Sequence, residues 1–350
     1  MRRSCAGRCG DSNRAMINAA IVGLGRWGRS LAVAAGKSGD IRFLVAATGT
    51  RKPAEDFCRT NNIALLDGYE EILHRPDIAA VVLATPHSQH EAQALAALAA
   101  GKHVFVEKPL TLDLRSARRV AAAADENGLT LAVGLNRRFH PSVCELRARV
   151  RNGSLGKVVA MVAQHTTSTA QFVPLDNWRA APEEALGGAF TATGVHSLDH
   201  MIEFGGHVRD VRCVTARNYP GRADDTTTLM LQFEGGACGL IFCSVATATN
   251  FNFTLYGRDG LGEISRPDLS RLRFVPASTA APTGPVRAPP DEIMEFPGFD
   301  TLGAELSAFA QAIRDRKPYP VPIAEVLHGM AVFDAVVQSA QSGGIVTVAE

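Results

Sequence analysis

The stretch INAAIVGLGRWGRSLAVAAG, residues 17–36, decides how the chain begins. Ile17 to Val22 is apolar and reads as a buried strand. Gly23-x-Gly25-x-x-Gly28 follows at once, and the alanine-rich run from Ser30 to Gly36 reads as a helix. Glycines at these three places permit a tight turn, close approach of the backbone to a pyrophosphate, and close packing of helix on strand. The helix N-terminus offers N–H groups to the anion. Alone the motif is a weak signal. Between a strand and a helix it predicts a dinucleotide site, with Gly23, Gly25, Arg26, Trp27 and Gly28 on the cofactor.

The same texture continues outward. Strand-like runs at Ile41 to Ala47, Ala79 to Ala84, His103 to Val106 and Leu129 to Val133 alternate with helical runs at Lys52 to Asn61, His87 to Ala100 and Leu114 to Asn127. Short alternation of this kind predicts a doubly wound parallel sheet, a Rossmann domain over 16–138. Beyond Arg138 the runs are β-rich: Val158 to Thr167, Val208 to Asn218, Thr226 to Phe233, Gly239 to Thr249 and Phe251 to Tyr256. One clear helix, Phe190 to Phe204, intervenes, and Glu305 to Arg316 and Ala324 to Gln341 close the chain. That pattern predicts a second, α+β domain over 139–350 with a large, mostly antiparallel sheet covered by helices on one face. Pro276 to Pro297 reads as a surface loop and residues 1–15 as a disordered extension.

Bulk properties agree with a globular, two-domain chain. It has 350 residues, 46% hydrophobic and 20% charged, with a formal net charge of +1. That charge favours neither nucleic acid nor anionic membrane, and 6% aromatic content argues against a base-stacking surface. No apolar run approaches a membrane span. The basic N-terminus lacks the apolar region of a secretory signal. Seven cysteines, with no Cys-x-x-Cys, disfavour disulfides and structural zinc and suit free thiols in a reducing cytoplasm.

An NAD site places an acid about 20 residues after the glycines, on the ribose. Here the strand end reads Ala46-Ala47-Thr48-Gly49-Thr50-Arg51-Lys52. Thr48 stands where the acid would be. A small hydroxyl followed by Arg51 and Lys52 suits a 2′-phosphate, so NADP is expected ahead of NAD. The alternative is that both cations are the solvated start of the next helix. Two further strand ends, Thr85-Pro86 and Glu107-Lys108-Pro109, fall on the ligand side of such a sheet and would border the nicotinamide. His90 joins them at the cofactor edge, although a helix start more often uses its histidines structurally.

TPHSQHEAQALAALAAGKHVFVEKPL resembles the signature of the glucose–fructose oxidoreductase/inositol dehydrogenase/MocA family. So do Val133 to Phe139 and Gly194 to Asp199. The likeness runs from Ile17 to the C-terminus, dense in the first half and moderate in the second. It implies a Rossmann domain, an open sheet that makes a homodimer or homotetramer interface, and NAD(P)-linked chemistry on a sugar, polyol or cyclic alcohol. It also implies catalytic roles for Lys108 and His196, and substrate binding by Asp199. From the residues themselves, Lys108 could polarise the reacting oxygen and His196 take its proton.

One position departs from that pattern. Family dehydrogenases often carry an aspartate four residues before the histidine, and here it is Ala192. Thr191, Thr193 or Asp199 could compensate. Arg137 and Arg138 either hold a substrate hydroxyl or carboxylate or bridge the domains. Trp178 and Arg179 form a substrate wall or simply pack. His196, His200 and Asp199 share a helix face, yet hydride chemistry needs no metal and none is expected. The loss at Ala192 also leaves open a weakened, cofactor-binding sensor. Specificity would lie in Gln164 to Ala192 and the Pro-rich loop.

Overall fold

The computed structural model describes residues 15–277 and 289–349. The expected N-terminal extension up to residue 14 and half of the Pro-rich loop, residues 278–288, lie outside the described residues.

Six short strands form the first sheet: β1 (Ile17–Val22), β2 (Ile41–Ala47), β3 (Ala64–Leu65), β4 (Ala80–Leu83), β5 (His103–Val106) and β6 (Leu131–Val133). Their order is β3-β2-β1-β4-β5-β6, and every pair is parallel. All four residues of β4 and the last three of β5 are buried, as expected of strands covered by helices on both faces. The connecting helices are α1 (Arg26–Ser38), α2 (Arg51–Thr60), α3 (Tyr69–Leu73), α4 (His90–Ala99) and α5 (Leu114–Glu126). Strand order reverses between β1 and β4, which opens a crevice at the strands' carboxyl ends.

The second sheet starts after α6 (Pro141–Arg151). Its strands are β7 (Val158–Thr166), β8 (Val208–Ala216), β9 (Thr226–Phe233), β10 (Cys238–Ser244), β11 (Asn250–Gly257), β12 (Gly260–Ser265), β13 (Arg271–Pro276), β14 (Glu292–Glu295) and β15 (Ile345–Thr347). They run in the order β14-β13-β12-β11-β7-β10-β9-β8-β15, antiparallel except for β7 with β10. The helices α7 (Val195–Gly205) and α9 (Ile323–Ser342) cover the inner face. On the outer face Val214, Met230, Leu240, Phe242 and Tyr256 stand exposed. The period of two is plain in β9, where Leu229 and Leu231 are buried and Met230 between them is 61% exposed.

Three details differ from the sequence reading. Glu292–Glu295, inside the expected loop, is an edge strand on β13. Pro141 at the first turn and a His140 N-cap start α6 where only a change of texture was legible. The single helix expected from Phe190 is a π-helical turn, Phe190–Gly194, that leads into α7. Gly194 permits it: a Cβ there would lie 2.4 Å from the wholly buried Phe190 ring.

The C-terminal helices also grip the first domain. From α8 (Thr301–Asp315), Thr301 accepts from Asn136 Nδ2 at 2.7 Å. Arg314 pairs with Asp40 at 2.7 Å, and Asp334 of α9 accepts from the Leu114 amide at 3.1 Å. By length and composition α9 could cross a membrane, but half of it is buried against β8, α5 and α7.

Candidate active site

The first turn is shaped by close backbone approach. A Cβ on Gly23, whose φ is +91°, would sit 2.5 Å from the Ala84 carbonyl oxygen. One on Gly28 would sit 1.9 Å from that of Gly23. Above Gly25 there is open space, and no side chain caps the N-terminus of α1. This is a cradle emptied of side chains with amides facing it, and it fits a dinucleotide pyrophosphate. Thr48 ties the turn to the end of β2, its Oγ1 accepting from Leu24 N at 3.4 Å. Arg51 is drawn aside, donating to Asp67 at 2.5 Å and to the Leu66 carbonyl at 3.1 Å, while Lys52 stands exposed.

The strand ends beside it are braced from behind. Thr85 Oγ1 donates to Gln93 at 2.7 Å. His90, expected on the cofactor, is wholly buried and cannot reach a ligand. Its ring instead bridges the Thr85 and Pro109 carbonyls at 3.1 and 2.9 Å, which fixes the Pro86 and Pro109 turns relative to each other. Glu107 is buried against Gly134, where a Cβ would approach its carboxylate to 2.9 Å.

Lys108 reaches out of this frame to the second domain. Its Nζ donates to the Ala192 carbonyl at 2.7 Å, in the π-helical turn, and His196 follows one turn later on α7. A π turn offsets the helical hydrogen bonds, so this carbonyl can face outward. The ammonium and the imidazole therefore lie on one wall, although 84 residues separate Lys108 from Ala192. The expected substitutes for an acid at position 192 are all engaged elsewhere. Thr191 accepts from Gly187 N, Thr193 donates to the Ala189 carbonyl, and Asp199 holds Arg138. Among the described residues, His196 Nδ1 has no partner.

Arg137 and Arg138 part company. Arg138 is buried and forks onto the Asp199 carboxylate at 2.5–2.9 Å, with Glu203 and Glu325 close by. Both were expected at substrate; here they hold each other, and Asp199 lines a cavity together with Lys108. Arg137 lies over the Phe251 ring at 4.4 Å, and its Nη2 donates to His165 Nε2 at 3.1 Å. At the mouth, Glu184 accepts from Ser88, and His87 donates to the Glu184 carbonyl at 3.0 Å. That latch sets Trp178 edge-on to His87, with Arg179 exposed over the indole.

Two family models match this chain. A Gfo/Idh/MocA oxidoreductase model with an NAD-binding Rossmann fold covers residues 17–135, and the model for the family's C-terminal alpha/beta domain covers residues 147–348. The chain belongs to the Gfo/Idh/MocA oxidoreductase family. It is 32% identical to the rabbit (Oryctolagus cuniculus) trans-1,2-dihydrobenzene-1,2-diol dehydrogenase over 225 residues, 64% of this chain and 67% of that one. The pig (Sus scrofa) enzyme of the same name is 30% identical over 61% of this chain and 63% of its own. Among solved structures, levoglucosan dehydrogenase in complex with NADH and levoglucosan superposes with a TM-score of 0.85 at 23% identity, covering 96% of this chain and 100% of that one. At that identity the likeness shows the fold. The chain is thus an NAD(P)-dependent oxidoreductase related to dehydrogenases that act on hydroxyl groups.

Within this family frame the electrostatics are uneven. Burial pulls Lys108 down to about 8; Glu107 opposes this, and Arg179 and Arg137 add to it. Burial pushes Glu107 up to about 7, against the nearby Trp27 and Lys108. Burial, then Lys108 and Arg137, holds His196 well below the ordinary imidazole range, so the ring is neutral. Behind Glu107, Glu305 and Tyr319 are buried, and among the described residues neither Glu305 oxygen nor the Tyr319 hydroxyl has a partner. Sequence reading missed His165, Glu184 and Glu305. His165 shares the inward parity of Met161 and Ala163 on β7, and Glu305 interrupts the buried stripe with Leu306 and Phe309 on α8. Those two signals were available; Glu184 gave none.

Proposed function

We propose that this chain is an NADP-preferring dehydrogenase or reductase interconverting a carbinol and a ketone on a sugar, polyol or cyclic diol. The observation that carries the reading is the Lys108–Ala192 contact, which brings amine and imidazole together at the carboxyl ends of β5 and β6, beside the glycine cradle. When bound, the cofactor supplies the nicotinamide carbon that accepts or gives hydride. Lys108 Nζ points a proton at the reacting oxygen, and its neutral form receives the hydroxyl proton during oxidation. His196, kept neutral, is the alternative acceptor of that one proton. The NADP preference rests on Thr48 in place of an acid, with Lys52 exposed and Arg51 able to exchange Asp67 for a phosphate. A cyclic diol or a sugar agrees with the names of the dihydrodiol and levoglucosan relatives.

Purified protein should turn over some member of a polyol, aldose and cyclic-diol panel, with kcat/KM higher for NADP than NAD. Lys108→Met should lower kcat by about 100-fold or more while NADP still binds. Bound NADP with wild type and variant equally inert would point instead to a sensor. A preference for NAD would remove the 2′-phosphate reading alone. The exposed apolar residues on the outer sheet face support a homodimer or homotetramer through that face, and the free described cysteines suit the cytoplasm.

A further inference from the structure

We infer that the substrate carries a carboxylate, and that Arg137 is the group that receives it. This deepens the oxidoreductase reading and rests on it. Arg137 is built as an anion fork with one prong empty. His165 Nδ1 lies 3.0 Å from the Thr193 carbonyl and must donate to it, so the neutral ring can only accept at Nε2. Arg137 Nη2 fills that acceptor at 3.1 Å, and the guanidinium plane rests on Phe251, itself edge-on to His165. His165 is thereby a positioning residue for Arg137. The other terminal nitrogen, Nη1, is buried and without a partner among the described residues. A buried guanidinium N–H left unpaired is costly, so an acceptor is expected to complete it.

No nearby carboxylate supplies that acceptor. Asp199 is held by Arg138, Glu203 by Arg147, and Glu184 by Ser88. Position 192, on the cleft side, offers only a methyl group and a carbonyl already bonded to Lys108. Lys108, Arg137 and Arg179 are opposed by Glu107 and, at Arg179, by Glu184, so the cations still outnumber the acids. A neutral polyol would leave that excess in place, whereas a hydroxy or keto acid would cancel part of it. A planar carboxylate matches the fork geometry of a guanidinium edge; a phosphate monoester matches it too, and the comparison with glucose 6-phosphate separates the two. Charge brought to Arg137 would also relieve the part of the His196 shift that, after burial and Lys108, comes from this guanidinium.

The test uses the full chain saturated with NADP. Titration calorimetry compares D-glucuronate with D-glucose, and steady-state kinetics compares acid and neutral pairs: glucuronate with glucose, gluconate with sorbitol, glycerate with glycerol. The expected result is binding of glucuronate at least about tenfold tighter than glucose, weakening with salt. The acid should also win on kcat/KM in any pair that reacts. In Arg137→Gln the acid-to-neutral ratio should fall by about tenfold or more, to near one, and Arg137→Lys should keep part of it. Equal or tighter binding of glucose, tighter binding of glucose 6-phosphate, or an unchanged ratio in Arg137→Gln overturns the inference. If no pair reacts and the wider polyol, aldose and cyclic-diol panel is also inert, the proposed carbinol–ketone activity fails, while the calorimetric comparison still decides the carboxylate site. Should Arg137→Gln misfold, the wild-type comparison with its salt dependence stands alone and can still overturn it.

Discussion

Two neighbours should move the titration of Lys108 in opposite directions. Burial brings the ammonium from its ordinary 10.5 to about 8, Glu107 raises it, and Arg179 and Arg137 lower it further. If the neutral amine takes the carbinol proton, kcat/KM for oxidation climbs with pH and levels off above about 8. Reduction needs the ammonium and declines over the same window. Glu107→Gln removes the charge that favours the ammonium, so the inflection moves down. Arg179→Gln removes a repelling cation, so it moves up. A unit charge roughly 10 Å away acts with about 1–2 kcal/mol at an effective dielectric of about 20, and about 1.4 kcal/mol is one pH unit. The Glu107 shift is therefore about one unit, since that acid, pushed up to about 7, is ionised at the inflection. Arg179 is exposed and better screened, so its shift is nearer to about half a unit. Initial rates across the pH range at constant ionic strength measure both. Shifts of the same sign, or none in either variant, would assign the inflection to a group other than Lys108.

Glu305 should make the fold lose stability as pH rises. Burial, with Glu107 and Asp300 adding to it, pushes its carboxyl well above the ordinary 4.5. The folded form then keeps a proton that the unfolded chain releases, so the loss begins near the ordinary value and grows upward. Three pH units above it, the ceiling is three times 1.36, or about 4 kcal/mol. Glu305→Gln is expected to gain about 1–3 kcal/mol near pH 7.5 and almost nothing near pH 4.5 in denaturant titrations. A gain independent of pH would refute the buried-acid account. On the outer sheet face, Met230→Glu should convert an oligomer into monomers in sedimentation runs, and a monomeric wild type would refute that interface.

The first half of this protein was legible because its signals are local. Gly28 is demanded by a backbone collision with Gly23 in the same turn and Gly23 by its positive φ, and the alternation of β1 to β6 with helices follows from short-range periodicity. The strand-end position of Lys108 needed only the boundary of β5. The second domain yielded its β-rich character and its helix-covered face for the same reason, but not the β7–β10 parallel pair or β14.

The site's division of labour was not in the sequence. Arg137 and Arg138 are adjacent and chemically identical, yet one meets Asp199 across 61 residues and the other meets His165 with an edge left empty. His90 looked like a ligand contact until the fold turned its ring inward. Residue type says which partners a side chain could accept, and many were possible for each arginine. Which one it gets depends on where two sheets and a π-helical turn place the backbone, and that is fixed only when distant segments pack together.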